Sequence, residues 1–238
     1  MMDGIKFRLS GRTGFFKKPD VNAEIYYTYN NIHKVALLGL LGAIIGLGGY
    51  NAKETPEFYE KLKTLKISIV PCADRGYFAK RVQYFNNSTG YASLETGGNL
   101  QVKEQWLENP CWEIYLMQGN TEKELWDKLK QNLLTDQCTY IPYLGKNDHP
   151  ALIDEVVEVV LEEIECSERI DSLFSGEISD IDNGIIEGKM FIFTEYAPYA
   201  LDDEHGFYLL KRFIFTPQKI MAKVPNVFKY NDLYLAFH

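Results

Sequence analysis

At 238 residues, with 46% hydrophobic and 24% charged side chains, the chain has the composition of an ordinary soluble globular protein, large enough for one big domain or two small ones. A formal net charge of −8 is the wrong sign for a uniformly basic nucleic-acid binder. Cys72, Cys111, Cys138 and Cys166 stand far apart with no CxxC pair, which argues against a clustered zinc site and predicts reduced, mostly buried thiols in a cytoplasm.

In chain order, MMDGIKFRLS lacks an apolar h-region followed by a small-residue cleavage site, so no secretory signal is expected. Ile5, Phe7 and Leu9 alternate with Lys6, Arg8 and Ser10, the period of a half-buried strand over 4–10. After the loop GRTGFFKKPD, residues 35–49 run fifteen positions without a charge or a side-chain hydrogen bonder. Spanning hydrocarbon takes about 20 apolar residues, so this run predicts a core helix, capped by Asn30 or Asn31 and stopped at Gly48-Gly49. Gly39, Gly42 and Gly46 share one helical face, which is expected to let the helix lie close on a sheet. LKISIV, 65–70, predicts a second strand.

Between 76 and 110, two alternating arms, 80–84 and 100–106, flank a tip rich in Asn, Ser, Thr and Gly, the pattern of a long β-hairpin with a soft end. WEIYLM, 112–117, predicts a third strand. Thr121-x-x-Glu124 has the form of a capping box, opening a helix with Leu125, Leu129 and Leu133 as its buried stripe. Over 152–166 the signals conflict: Ile153, Val156, Val157, Val160, Leu161 and Ile164 recur at helical spacing, while four valines within five positions favour a strand. MFIFTEY, GFYLLKRFIF and KIMAKV predict short strands.

With the hairpin set aside, the order is β-α-β-β-α, and a strand at 152–166 completes a β-α-β-β-α-β unit. The expected class is therefore α+β: a ferredoxin-like (RRM-like) domain over 1–188 with a thumb hairpin at 77–109, and a C-terminal β-rich extension over 189–238.

Charge is unevenly placed. Residues 1–81 carry 13 Lys and Arg against 7 Asp and Glu, whereas residues 149–238 carry 7 against 17. Association with polyanions depends on the field within a Debye length, about 8–10 Å, so the N-terminal third can face phosphates despite the total. The acidic C-terminal part would face water or a basic protein.

Conventional enzyme signatures are absent from the sequence. His33, His149, His205 and His238 form no metal-ligand spacing such as HExxH. Asp202-Asp203-Glu204-His205 reads as a solvated acidic turn. GLGGY follows a helix instead of opening one, so it is no phosphate loop, and no GxSxG elbow occurs. No cofactor and no metal are expected.

RNA binding fits more features. Single-stranded RNA is held by aromatic faces, by Lys and Arg on phosphates, and by amides on base edges. Tyr26, Tyr27, Tyr29, Asn30, Asn31, His33 and Lys34 supply these groups at a helix start, and Lys80, Arg81, Gln83, Tyr84, Asn86, Asn87, Lys103 and Gln105 supply them on the hairpin. Composition fits equally well with half-buried tyrosines and charges that only solvate a face.

Four stretches carry a resemblance to a known family: the opening strand with GRTGFFKKP; the helix motif TYNNIHKVALLGLLGAIIG; the hairpin NNSTGYAS…VKEQWLENP; and YLG with the following Asn147. They resemble the RAMP-superfamily subunit of CRISPR Cascade complexes that holds the 5′ handle of the crRNA, the fifth CRISPR-associated protein family, most like type I-B. Residues 150–238 match only in being β-rich. The resemblance implies a cytoplasmic, non-membrane RNA-binding subunit for antiviral defence. Its partners would be crRNA, the Cascade backbone subunit and the large subunit, with target DNA reached indirectly. Carried over by position, Tyr29, Asn31, His33 and Lys34 would lie at the handle-binding helix start, Lys17 and Lys18 in the loop before it, and Arg81, Gln83, Asn86, Lys103 and Gln105 on the thumb. One branch of the family, in type I-C systems, cuts precursor crRNA without metal, which makes Tyr29, His33 and Lys34 a candidate endoribonuclease trio. A protein–protein scaffold with incidental RNA contact is the third reading.

Overall fold

A computed structural model describes the chain except residues 20–23, 52–54, 87–93, 95–99 and 183–189. The soft tip of the hairpin, with Asn87, lies outside the described residues.

The chain begins with β1 (Met2–Ser10) and a short β2 (Thr13–Gly14), followed by α1 (Lys34–Ile45), α2 (Glu57–Leu62) and β3 (Lys66–Pro71). The hairpin β4 (Lys80–Asn86) and β5 (Gln101–Glu108) precedes β6 (Cys111–Met117), α3 (Lys123–Leu134) and β7 (Leu152–Ile164). Then come β8 (Phe174–Ser175), β9 (Phe193–Leu201), β10 (Tyr208–Phe215), β11 (Val227–Tyr230) and β12 (Leu233–Ala236). The result is a strand-rich mixed α/β chain. A six-stranded sheet runs β12-β11-β7-β1-β6-β3 with every neighbouring pair antiparallel. Among the described residues two three-stranded sheets, β2-β5-β4 and β8-β10-β9, accompany it.

The alternation in β1 places Ile5, Phe7 and Leu9 in one buried cluster with Ile114 and Leu116 of β6 and the apolar face of α1. The other face of the sheet buries Tyr115, Met117, Val159 and Leu161 under Phe228, Leu235 and Phe237. After β12 the chain crosses to the far edge, where Ile67 and His238 exchange backbone hydrogen bonds of 3.2 and 2.9 Å.

The conflict at 152–166 resolves as a strand, and its helical spacing has a physical cause. Pairing with β1 slips between Lys6 and Arg8, where Glu155 takes a left-handed φ of 52°. Before the slip Ile153 shares the face of Leu9; beyond it, Val157, Val159 and Leu161 share the opposite face with Lys6 and Gly4. Apolar residues that change faces across a bulge lose the period of two.

Several expectations are corrected. Helix α1 is capped by His33, whose Nδ1 accepts from Ala36 N at 3.2 Å, because Asn30 and Asn31 bond elsewhere. It ends at Gly46, which takes φ 83°, and not at Gly48-Gly49. Gly39 and Gly42 meet a helix and not a sheet, and Gly46 meets the Thr139 side chain: a Cβ on Gly42 would stand 2.5 Å from Phe58 Cβ of α2, a helix the sequence reading missed. No capping box opens α3; Thr121 Oγ1 lies 3.2 Å from Thr64 Oγ1, and Glu122 precedes the helix without a side-chain cap. Trp126 joins Leu129 and Leu133 in its buried face, and Leu125 is only half-buried. KIMAKV forms no strand, only a bridge from Ile220 to Ile181. The cysteines are not mostly buried: Cys72, Cys138 and Cys166 are exposed and Cys111 partly so.

Candidate nucleic-acid interface

The loop between β2 and α1 folds back on itself and docks on the thumb. Lys18 N donates to Tyr27 O at 2.8 Å and Tyr29 N to Phe16 O at 2.9 Å, so the loop is a short ladder. Tyr26 then bonds to β5, its N to Lys103 O and its O from Gln105 N, both at 2.9 Å. Through this seam Lys17, Tyr26, Lys103 and Gln105 share one region, and Tyr84 joins it as the cross-strand partner of Lys103. Lys17 Nζ stands 3.8 Å from the Tyr26 ring centroid, and Lys103 Nζ 5.6 Å from that of Tyr84. Tyr84 is 62% exposed.

A second loop closes the region from below. Phe15 N donates to Leu144 O at 3.0 Å, and Gly145 follows with φ 90°. A Cβ on Gly145 would stand 1.9 Å from Phe15 O, so only glycine fits. Lys146 reaches both carboxylate oxygens of Glu104 at 3.0 Å. Glu104 is buried and also accepts from Trp106 Nε1 at 2.8 Å. Beside the two loops, a cleft of about 740 Å³ runs along α1. Phe16, His33, Tyr50, Tyr140, Tyr143 and Tyr208 line it, and Lys17 and Lys146 bring positive charge to its wall. Aromatic faces with cations beside them are what unstacked bases and their phosphates require.

The expected contacts divide into two groups. Lys17, Arg81, Gln83, Asn86, Lys103 and Gln105 lie on the docked loop or thumb strands with exposed or half-exposed side chains. Arg81 pairs with Glu108 at 2.6 Å, Lys103 with the exposed Glu24, and Gln83 Nε2 donates to Tyr84 O at 3.3 Å. Among the described residues Lys17 has no carboxylate partner. The second group is buried or held by bonds within the fold. Asn31 is 5% exposed; its Nδ2 donates to Gly76 O at 2.7 Å and its Oδ1 accepts from Trp112 Nε1 at 2.9 Å. Lys18 pairs at 3.2 Å with the buried Glu195, which also accepts from Asn30. Tyr29 is buried against His33, with ring centroids 5.2 Å apart.

Burial lowers the His33 pKa from 6.5 to about 3, so the ring is neutral. Lys34 turns away to donate to His238 O at 3.0 Å, and burial, with Lys211 nearby, brings it down to about 8. Tyr29, His33 and Lys34 therefore do not converge on one exposed point. Among the described residues no group of three or more His, Cys, Asp or Glu is placed to hold a metal. None of their helices is long and apolar enough to cross a membrane.

No family model matches the chain, and no curated protein matches it by sequence. Solved structures do match. A chain of a structure described as a CRISPR RNA-guided surveillance complex superposes with a TM-score of 0.53 at 15% identity, over 90% of both chains. A CRISPR protein from Archaeoglobus fulgidus superposes with a TM-score of 0.51 at 11% identity, over 98% of both. The fold is one that CRISPR-associated proteins have.

Sequence reasoning missed Lys146, Glu104, Glu195 and the cleft tyrosines Tyr50, Tyr140 and Tyr208, and took Tyr143 only as part of the YLG motif. The YLG motif with Asn147 brackets Lys146 and was the one signal that pointed there. The remaining residues are brought together only by long-range pairing, such as β9 against the loop before α1.

Proposed function

We propose that this chain is an RNA-binding structural subunit of a type I CRISPR Cascade effector complex, most like type I-B. It holds the 5′ handle of crRNA and caps the backbone next to the large subunit, in the cytoplasm. The observation that carries this reading is the seam joining the pre-helix loop to the thumb, which sets Lys17–Tyr26 and Lys103–Tyr84 side by side next to an aromatic cleft. The order β7-β1-β6-β3, with helices α1 and α3 in the connections, supports a ferredoxin-like core. The shared fold of the two CRISPR structures supports the assignment to this class of complex.

The sheet face opposite the helices is a poor RNA platform. Lys6 and Arg8 are paired with Glu113 and Asp154 at 2.8 Å, and Tyr115 is buried. Phosphates are better received on the thumb side, where Arg81 and Lys103 pair with the half-exposed Glu108 and the exposed Glu24, carboxylates that a phosphate can replace.

Precursor cleavage at Tyr29, His33 and Lys34 is disfavoured, since a neutral ring whose Nδ1 already accepts from Ala36 N is a weak base there. Incubation with labelled precursor crRNA in EDTA tests all three readings. Retention without cleavage, weakened by Lys17→Ala/Lys103→Ala and by salt, is expected. Discrete cleavage lost in His33→Ala would establish the nuclease instead. Failure to retain a handle-bearing RNA, alone or in the complex, would leave the scaffold.

A further inference from the structure

The thumb leaves the six-stranded sheet between β3 and β6, and its two roots each carry a cysteine. Cys72 directly follows β3, and Cys111 opens β6. Cys72 N donates to Cys111 O at 2.9 Å, continuing the register in which Pro71 faces Trp112. The two sulfurs are 3.0 Å apart with the thiols free, and Cys72 is exposed. Residues directly opposite in an antiparallel pair have Cα atoms about 4.5–5.5 Å apart, inside the span of about 4.4–6.8 Å that a disulfide bridges. Closing the bond to about 2.0 Å therefore asks for side-chain rotation and little backbone movement.

We propose that Cys72 and Cys111 form an oxidisable dithiol that a low-molecular-weight disulfide, of the oxidised glutathione class, converts into a covalent staple across the thumb root. One cysteine thiolate attacks a sulfur of the reagent and expels one reagent thiolate, which takes up the proton. The second cysteine thiolate then attacks the protein sulfur of the mixed disulfide and expels the other reagent thiol. Two protein thiols are oxidised, one reagent disulfide is reduced to two thiols, and no further reactant is needed.

The enclosed loop, from Cys72 to Cys111, contains the whole thumb and spans 39 positions. The staple would tie its roots to each other just where β3 ends and β6 begins. Burial, the Cys111 hydrogen bond and the Glu113 carboxylate push the Cys72 thiol up to about 12. Reaction at neutral pH thus draws on a small thiolate fraction and quickens as the pH rises. Cys138 and Cys166 are exposed thiols far from this pair in sequence and serve as internal controls.

The test treats the full chain with oxidised glutathione under native, mildly alkaline conditions, then alkylates remaining thiols and maps peptides by mass spectrometry. The expected product joins the Cys72 and Cys111 peptides, lighter by two hydrogens, while Cys138 and Cys166 are found alkylated or as glutathione adducts. Cys111→Ser should leave Cys72 as a stable glutathione adduct. The linked form should melt about 5–15 °C higher and slow amide exchange at the ends of β4 and β5 nearest the root. Cys72 and Cys111 recovered separately alkylated, or as two separate adducts on folded protein, would overturn the staple. A linked protein with unchanged exchange in the thumb would overturn its restraint of the thumb. Neither readout uses RNA, so the result stands apart from the function proposed above.

Discussion

At the scale of single residues, two expected RNA contacts sit in opposite environments, one buried and bonded at both ends, the other exposed. Asn31 and Lys17 were both expected RNA contacts, yet Asn31 spends both ends of its amide on Gly76 O and Trp112 Nε1. Asn31→Ala should cost about 1–3 kcal/mol by stranding a buried donor and acceptor, read from urea unfolding. RNA affinity of the folded fraction should be unchanged; a specific affinity loss would return Asn31 to the interface. Lys17→Ala should do the reverse, leaving the unfolding midpoint in place and lowering the magnitude of the salt slope of RNA binding by about 0.7. His33 makes a pH prediction. Its folded pKa of about 3 lies below the ordinary 6.5, so the fold resists protonating it. The stability carried by the neutral ring is whole above about pH 6.5 and is lost as the pH falls toward about 3, by at most about 1.4 kcal/mol per pH unit. His33→Asn keeps an acceptor for the helix start and removes the titration. Its unfolding free energy should be lower but should fall less steeply between about pH 6.5 and about pH 4. An acid slope matching that of the parent would exclude His33 as its source.

At the scale of elements, the sequence was most readable where one local pattern governs one segment. The alternation Ile5, Phe7, Leu9 foretold β1, and the two alternating arms foretold the thumb. It was least readable where a distant partner decides. Asn30 and Asn31 are good caps by type, but Glu195 and Trp112, both far along the chain, claim them, and His33 takes the role by default. The glycine face of α1 was visible, but what lies on it was not, because α2 is only six residues long and has no strong period. The two interior glycines should respond differently to alanine. A Cβ at Gly42 meets Phe58 Cβ at 2.5 Å, so Gly42→Ala should destabilise by about 1–3 kcal/mol through forced separation of α1 and α2. At Gly39 the nearest atom is Phe58 Cζ at 3.6 Å, an ordinary contact, and alanine gains up to about 1 kcal/mol of helix propensity. Thermal unfolding of the two variants compares them; an equal loss in both would contradict the packing of α2 against Gly42.

At the scale of the whole molecule, the C-terminal strands do more than the word extension suggests. The β-rich texture after residue 189 was legible, but its destination was not, since strand partners leave no mark in one strand's composition. β11 pairs with the far end of β7, and the chain beyond β12 bonds back to β3 at the opposite edge. Between them, Phe228, Leu235 and Phe237 cover Tyr115, Met117, Val159 and Leu161 on the face that the helices leave open. Burying those three covering side chains is worth about 1.5–3 kcal/mol each, a sum comparable with the whole stability of a typical domain, about 5–15 kcal/mol. Their loss would also bare the end of β7 that pairs with β11 and the Ile67 backbone of β3, leaving unpaired groups ready to add a strand from another chain. Deleting residues 225–238 should therefore leave a chain without a cooperative unfolding transition and prone to association, seen by circular dichroism and size-exclusion chromatography. Deleting 87–99 from the thumb tip should leave the cooperative transition intact, because that stretch, NSTGYASLETGGN, is mostly polar residues and glycine and brings little apolar surface to bury. A folded, monomeric product of the first deletion would mean that the four strands β7-β1-β6-β3 are stable without β11 and β12, and that the unit ends before them.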